Sequence, residues 1–509
     1  MPDKEIPVSR RWFVAGTLAA AGGSLLGVSS RAAVTTDSAL MDIAALKKAC
    51  KGVVAGAGEA NFGELLHGDL WNRLIPERAP QVVVRVNDEQ DVIAAILFAR
   101  ANRLKVVVRG GGHNWCQPTL RNGGLLIDLC NLNQVISIDA AARKAIVQPI
   151  ISNRDIQKTL NAQGLAFPSG HCPQVKLSGY LLGGGMSWNP GVWDHGAASV
   201  EAVELVTAEG KLITASKEQN QDYFWAARGA GTGFFGVVTR YHLKLYPLPK
   251  AMHGCSYFYA MEDAAKVGAW LSGIAGKLAP SVELSLFLLT APDTLKDRAA
   301  AQGGKVCLVT ATSFAETAEQ AKAELKPLDD CPVIDRKLAS TAPTPVTFEQ
   351  LFDASGVIWP EGLRARAESV FYQATGGDLV RAISEHFTQA PSPITVLLFA
   401  ILTGPNPPPD PNESAYSMNA PILGGPWTQW KIAGEDEANT AWHSECVARL
   451  KPFVSGYYIG ESDTVSQPAA ATRAFSVDNW KRLADLRDKY DPDGVFFGYF
   501  DGLRDAKAG

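Results

Sequence analysis

Two stretches of the chain concentrate side chains able to bond or to carry electrons. Residues 168–185 read PSGHCPQVKLSGYLLGGG, with His171 beside Cys172 between glycines, and residues 106–113 read VVVRGGGH, with Gly110, Gly111 and Gly112 between a strand and His113. Glycine lacks a Cβ, so backbone N–H groups can approach a bound anion closely, and a diphosphate is the guest such a run suits. A tight turn between strands is the plainer alternative. His113 with Cys116, and His171 with Cys172, could also offer zinc ligands. Structural zinc sites, however, take their ligands in pairs, and an adjacent His-Cys pair does not easily turn both side chains to one ion. A redox thiol at Cys172 is a third reading, but it leaves the glycines without a purpose.

A third glycine cluster, Gly231-Thr232-Gly233-Phe234-Phe235-Gly236, matches the dinucleotide fingerprint GxGxxG. That fingerprint works only with a strand before it and a helix after it, so that the pyrophosphate sits on the helix N-terminus. Here VVTRYHLKLYP follows, with the alternation of a strand. A nicotinamide-binding Rossmann fold is therefore rejected.

The elements that must hold these residues are legible in outline. QVVVRVNDEQDVIAAILFARANRLKVVVRGGGH reads as strand, helix and strand, with Val92, Ala95, Ile96, Phe98 and Ala99 at helical spacing. EAVELVTAEGKLITAS reads as a hairpin turning at Glu209-Gly210, and GVVTRYHLKLYPLP as a further strand. From about residue 250 to 455 the strands lengthen (SVELSLFLLTA, KVCLVTATSF, ITVLLFAILTG) and helices separate them, the pattern of a sheet covered on one face. SAYSMN and WTQWKI also read as strands there. NWKRLADLRDKYDPDGVFFGYF is a helix with Leu483 and Leu486 on one side, ended by Asp491-Pro492.

Composition narrows the partners. The chain has 509 residues, 20% of them charged, and a net charge of -4, so it can bury a large core but offers no basic surface for nucleic acid. A small-molecule partner is expected. Residues 1–33 read as an address: Arg10 and Arg11 precede an apolar, Gly- and Ala-rich stretch too short to span a bilayer, with cleavage expected near Ala32 or Ala33. A twin-arginine signal engages an export machinery that carries folded proteins, often with a cofactor already loaded, and predicts a periplasmic or secreted enzyme. No transmembrane span is expected. The 8 cysteines show no regular spacing, so no disulfide framework is indicated.

RGGGHNW, GHCPQVKLSGYLLGGGMSW, RGAGTGFFGVVTRYHLKLYPLP and RLADLRDKYDPDGVF together resemble the berberine bridge enzyme-like FAD-linked oxidoreductases of the vanillyl-alcohol oxidase/PCMH flavoprotein superfamily. The resemblance runs from about residue 75 to 248 and again over 470–497. It implies an α+β fold: a two-subdomain PCMH-type FAD-binding domain over 34–248, a substrate domain of antiparallel sheet covered by helices over 249–455, and a C-terminal segment, 456–509, returning to the FAD domain. It also implies FAD attached twice, through His113 and Cys172. Backbone groups of Arg109, Gly110, Gly111 and Gly112 would contact the diphosphate, Ser178, Gly179, Gly183 and Gly184 would line the pocket, and Gly233 with Val237 or Val238 would lie near the rest of the nucleotide. Val175, three residues after the second tether, falls where a valine accompanies reaction with molecular oxygen.

The substrate side departs from the family. Its late Y-V-N-Y/F strand is here GYYIGESD, with Gly460 in place of asparagine and Glu461 in place of an aromatic. Hydride removal from an alcohol needs a base for the hydroxyl proton, so Tyr458, its pKa lowered by a nearby cation, ranks first and Glu461 second. Glu461 and Asp463 could equally be a solvated turn. Tyr416, Tyr457, Gln429 and Trp430 are expected substrate contacts. The implied activity is a secreted FAD oxidase that takes hydride from a small organic substrate, a sugar or other alcohol ranking ahead, and reduces oxygen to hydrogen peroxide. Its rivals are a dehydrogenase feeding a periplasmic acceptor, an oxidase of an amine or phenolic compound, and an exported binding protein on the same fold.

Overall fold

The computed structural model describes residues 42–508, with side chains through residue 503. The arginine pair and the expected cleavage site lie outside the described residues. Among the described residues no helix is long and apolar enough to cross a membrane.

Three sheets organise the α+β chain. The first has the order Val53–Gly56, Val82–Arg85, Leu125–Asp128, Val106–Arg109. Its last three strands run parallel, with Val82 and Val106 both opposite Leu125. Parallel strands need a crossover, and Glu89–Ala101 supplies it, burying Val92, Ala95, Ile96 and Ala99. Asp88 starts that helix by accepting from the N–H groups of Gln90 and Asp91. Burial of the Val92 and Ile96 side chains stabilises the unit by roughly 1.5–3 kcal/mol each.

The second sheet is antiparallel, in the order Val135–Asp139, Lys144–Val147, Gly236–Lys244, Val200–Thr207, Leu212–Ser216. Gly231–Gly233 is a single turn of 3-10 helix that runs into the strand Gly236–Lys244, so the GxGxxG match has no helix to support a Rossmann phosphate site.

The third sheet has nine antiparallel strands, with Val282–Thr290, Val396–Ile401 and Ile422–Trp430 at its centre. Side chains alternate along each of them. Leu284, Leu286 and Leu288 pack under the helices Met261–Ile274, Gly376–Thr388 and Asp436–Leu450, while Phe287, Leu289, Leu398 and Trp427 turn the other way, onto Trp71, Trp115 and Cys172 of the N-terminal half. One face of this sheet therefore belongs to its own core and the other to the site. SAYSMN forms no strand. Its backbone is tied instead to the loop ahead of Gly231, with the N–H groups of Ala415 and Tyr416 donating to the carbonyls of Trp225 and Arg228.

The helix Val477–Tyr490 returns to the N-terminal half, burying Leu483 and Leu486 in the first core. Val106 and the segment behind that helix exchange hydrogen bonds, Val106 N–H to Val495 carbonyl at 2.7 Å and Phe497 N–H to Val106 carbonyl at 2.8 Å. The C-terminal segment thus braces the strand that carries the glycine run.

Candidate active site

The strand Val106–Arg109 ends in a loop that two constraints shape. The Arg109 guanidinium, fully buried, donates to Asp128 at 2.9 Å and to the carbonyls of Leu65 and Leu66, each at 2.5 Å. The guanidinium therefore pins the loop from behind, and any contact Arg109 makes with a diphosphate would come from its backbone. Gly110, Gly111 and Gly112 leave no room for side chains. A Cβ on Gly110 would come within 2.7 Å of the Ser178 hydroxyl, one on Gly111 within 2.2 Å of the Lys176 side chain, and Gly112 adopts φ +62°.

The loop opens on a cavity of about 230 Å³. His113, Cys172, Val175, Ser178, Gly179, Val238, Tyr458 and Glu461 line it together with Trp115 and Trp427. Gly183, Gly184, Gly233 and Val237 sit one layer back. Added Cβ atoms there would strike Gly460 at 2.8 Å, the Tyr416 ring at 2.5 Å and Tyr499 at 2.2 Å for the three glycines in turn, so these positions permit close packing and do not touch the cavity. Val237 points into the core opposite Val238, as alternation along a strand requires.

His113 stacks on Trp71, with ring centroids 5.1 Å apart and planes at 23°. Burial, helped by the nearby Lys176 charge, pulls its pKa down to about 4, so the imidazole is neutral, and its Nε2 has no hydrogen-bond partner. The Cys172 thiol is pushed up to about 12, first by burial and then by Glu461. Burial of this kind disfavours the thiolate that a redox cysteine needs. Zinc fails on geometry. His171 is committed to Glu283 at 2.6 Å and packs on Trp188, and the sole His/Cys/carboxylate cluster of ligand spacing among the described residues, Asp69, Asp128 and Cys130, is already neutralised by Arg85 and Arg109. The glycine loop, the adjoining cavity and the partnerless imidazole nitrogen fit a flavin dinucleotide.

The substrate side differs from its expectation. The Tyr458 hydroxyl accepts the Gly185 N–H at 3.2 Å, and burial followed by the Glu461 charge raises its pKa, so no cation prepares it to act as a base. Glu461 is no solvated turn. Its side chain lines the cavity, and burial raises its pKa against the opposing effects of a Ser369 hydrogen bond and the His171 charge. Asn114 donates to the Gly460 carbonyl at 2.8 Å and Trp115 Nε1 to the Glu461 carbonyl at 2.6 Å. The loop carrying His113 thus grips the loop carrying Glu461. Gly460 is required there, since a Cβ would meet the Tyr458 ring at 2.7 Å.

The other expected substrate contacts do not reach the cavity. Tyr416 stacks on His195 at 4.4 Å, with its hydroxyl on the Met186 sulfur, and backs Tyr458. Tyr457 lies under the Arg473 guanidinium. Gln429 is fully buried and donates to the carbonyls of Ile358 and Ile394, whereas Trp430 faces the helices and donates to Asp436 at 2.6 Å. The residue of that strand in the cavity wall is Trp427. Trp71, Trp359 and Ser369 also escaped sequence reasoning.

Comparison with known proteins agrees with this geometry. The FAD binding domain family matches residues 80–216. The FAD-linked oxidoreductase janO of Penicillium janthinellum is 27% identical over 78% of this chain and 86% of its own length. Among solved structures, 6-hydroxy-D-nicotine oxidase from Arthrobacter nicotinovorans is similar in fold, with a TM-score of 0.75 at 21% identity over 88% of this chain and 97% of that one. Phl p 4 is similar as well: an isoleucine-to-valine variant described as a glucose oxidase (TM-score 0.74, 18% identity, 90% and 98% covered) and a wild type described as a glucose dehydrogenase. The chain is an FAD-linked oxidoreductase. Its fold is similar to that of the berberine bridge enzyme-like proteins.

Proposed function

We propose that the chain holds FAD covalently through both His113 and Cys172 and oxidises a small organic alcohol or amine, with molecular oxygen as electron acceptor and hydrogen peroxide as product. The observation that carries the reading is the meeting, in one cavity wall, of a neutral imidazole with a partnerless nitrogen and a partly buried thiol from distant parts of the sequence. Bound flavin would supply a two-electron acceptor for hydride. The chain's own residues do the rest. Gly110, Gly111 and Gly112 admit the diphosphate, Arg109 and Asp128 hold that loop, and Glu461 takes the substrate proton, in place of Tyr458, whose hydroxyl orients the loop at Gly185. A carboxyl with a raised pKa is a stronger base once ionised and sits nearer the pH at which proton transfer is efficient.

Oxygen use rests on Val175, which lines the cavity, together with the Phl p 4 pair, in which an isoleucine-to-valine change separates the glucose oxidase from the glucose dehydrogenase. Export through a twin-arginine leader, with the cofactor already attached, rests on Arg10 and Arg11. Reduction without air followed by mixing with oxygenated buffer tests the acceptor: rapid return of the oxidised flavin spectrum supports an oxidase, and a spectrum that stays reduced for minutes identifies a dehydrogenase.

A further inference from the structure

Away from the flavin cavity, the two halves of the chain leave a second hollow between them, of about 910 Å³. No residue lines both cavities. One wall is the helix Asn153–Asn161 of the N-terminal half, through Gln157, Lys158 and Asn161. The other is the start of the strand Ala251–Ala260 together with the helix Phe348–Ile358 of the large-sheet half. The floor is apolar: Met252, Val346, Phe348 and Phe352 are buried and belong to one cluster. Two polar side chains interrupt it. Gln157 is fully buried and His253 is 4% exposed, and both line the hollow. Gln157 Oε1 accepts the Phe167 N–H at 3.2 Å, but its Nε2 has no partner, and neither has Nδ1 of His253. Buried polar groups are nearly always paired, so two left open in one lining, one from each half, mark a place made for a ligand.

The charges on the rim give that ligand its sign. Lys158 has no carboxylate within ion-pair reach among the described residues, and Lys250 meets Glu316 only at 3.4 Å, with both side chains well exposed. The one carboxylate in the lining, Glu349, is drawn toward Arg154 at 3.4 Å. We propose that this hollow binds a small organic acid. Its apolar body lies on Met252, Val346 and Phe348, and its carboxylate takes Lys158, Gln157 Nε2 and His253 as partners. A carboxylate accepts several hydrogen bonds at once and gains most from a charged donor. A neutral ligand would leave the ammonium unanswered, and a bare inorganic anion would leave the apolar floor uncovered. Bound there, the acid bridges the two halves beside the point where Arg154 and Asp353, at 2.6 Å, already join the same two helices.

The test is isothermal titration calorimetry on the purified full chain with 3-phenylpropanoate, its neutral match 3-phenylpropanamide, and acetate. The phenylpropanoate is expected to bind at one site per chain, about tenfold more tightly than the amide, and acetate not to bind measurably. Lys158→Gln changes an exposed side chain, so the variant should fold; it should abolish the preference for acid over amide and leave amide binding unchanged. His253→Phe keeps a ring in the floor, removes its nitrogens and should weaken the acid about tenfold. If that variant folds poorly, Lys158→Gln decides the matter alone. Failure of the acid to bind, an amide that binds as tightly as the acid, or an acid preference that survives Lys158→Gln would overturn the proposal. So would a shift of the flavin absorbance on saturation with the acid, which would place it in the other cavity. Protein without flavin would defeat the cofactor reading and leave the calorimetry of this hollow to be read as before.

Discussion

The indole N–H of Trp115 donates to the backbone carbonyl of Glu461 at 2.6 Å, two residues after His113 on one side of the bond and within the candidate catalytic loop on the other. Asn114 repeats the link to Gly460 at 2.8 Å. The candidate tether and the candidate base are thereby held in a fixed relation by two hydrogen bonds. Trp115→Phe should keep the flavin and the fold while lowering kcat about tenfold with little change in KM, since the loss falls on orientation and not on binding. Steady-state kinetics check this, and an equal loss in Tm and activity would reduce Trp115 to a packing role.

Glu461→Gln should lower kcat by about 10²- to 10⁴-fold and leave cofactor retention intact. The wild-type rate should fall as pH drops through a value above the ordinary glutamate range, because burial raises this carboxyl and only its ionised form accepts a proton. A pH profile flat through the acid limb in wild type, or full activity in the glutamine variant, would remove Glu461 from the chemistry. Tyr458→Phe should cost less than Glu461→Gln.

Arg109 and Asp128 are both fully buried and joined at 2.9 Å, with Arg85 as a second partner of Asp128. Arg109→Leu should destabilise the protein by about 3–5 kcal/mol, seen as a fall in Tm, because it strands part of a buried charge and two carbonyl acceptors. A change within 1 °C would contradict the role assigned to this pair.

His443 is buried, hydrogen-bonded to Thr428 at 2.9 Å, and burial pulls its pKa down to about 3. In the unfolded chain it would titrate near the ordinary histidine value, so its contribution to stability is complete above about pH 6.5 and is lost as pH falls from there toward 3. Chemical denaturation at pH 7.5 and pH 5 should show lower stability at pH 5, and His443→Gln should flatten that difference.

Much of this site could be read before folding. His113, Cys172 and the glycines were legible because their chemistry is local: a run without Cβ atoms announces itself in any context. The aromatic cluster beside the cavity was not. Trp71, Trp359 and Trp427 come from three separate segments, and only the sheet brings them together. Expecting both Gln429 and Trp430 to touch substrate set aside the period of the strand, which sends neighbours to opposite faces; Trp427 and Gln429 share one face and Trp430 takes the other. Glu461 looked exposed because the residues that cover it, Asn114 and Trp115, lie far away in sequence. The burial of the Arg109 side chain was equally out of local reach, since its partners Leu65, Leu66 and Asp128 belong to other elements.

The central claim is that His113 and Cys172 bond the same cofactor, and acid precipitation of the purified protein followed by mass analysis of its peptides tests it most directly. The expected result is a yellow pellet and one flavin-bearing species that joins the peptides containing His113 and Cys172. His113→Ala and Cys172→Ala should each keep colour in the pellet, and the double variant should release it. Flavin recovered entirely in the supernatant of the wild-type protein would contradict the account.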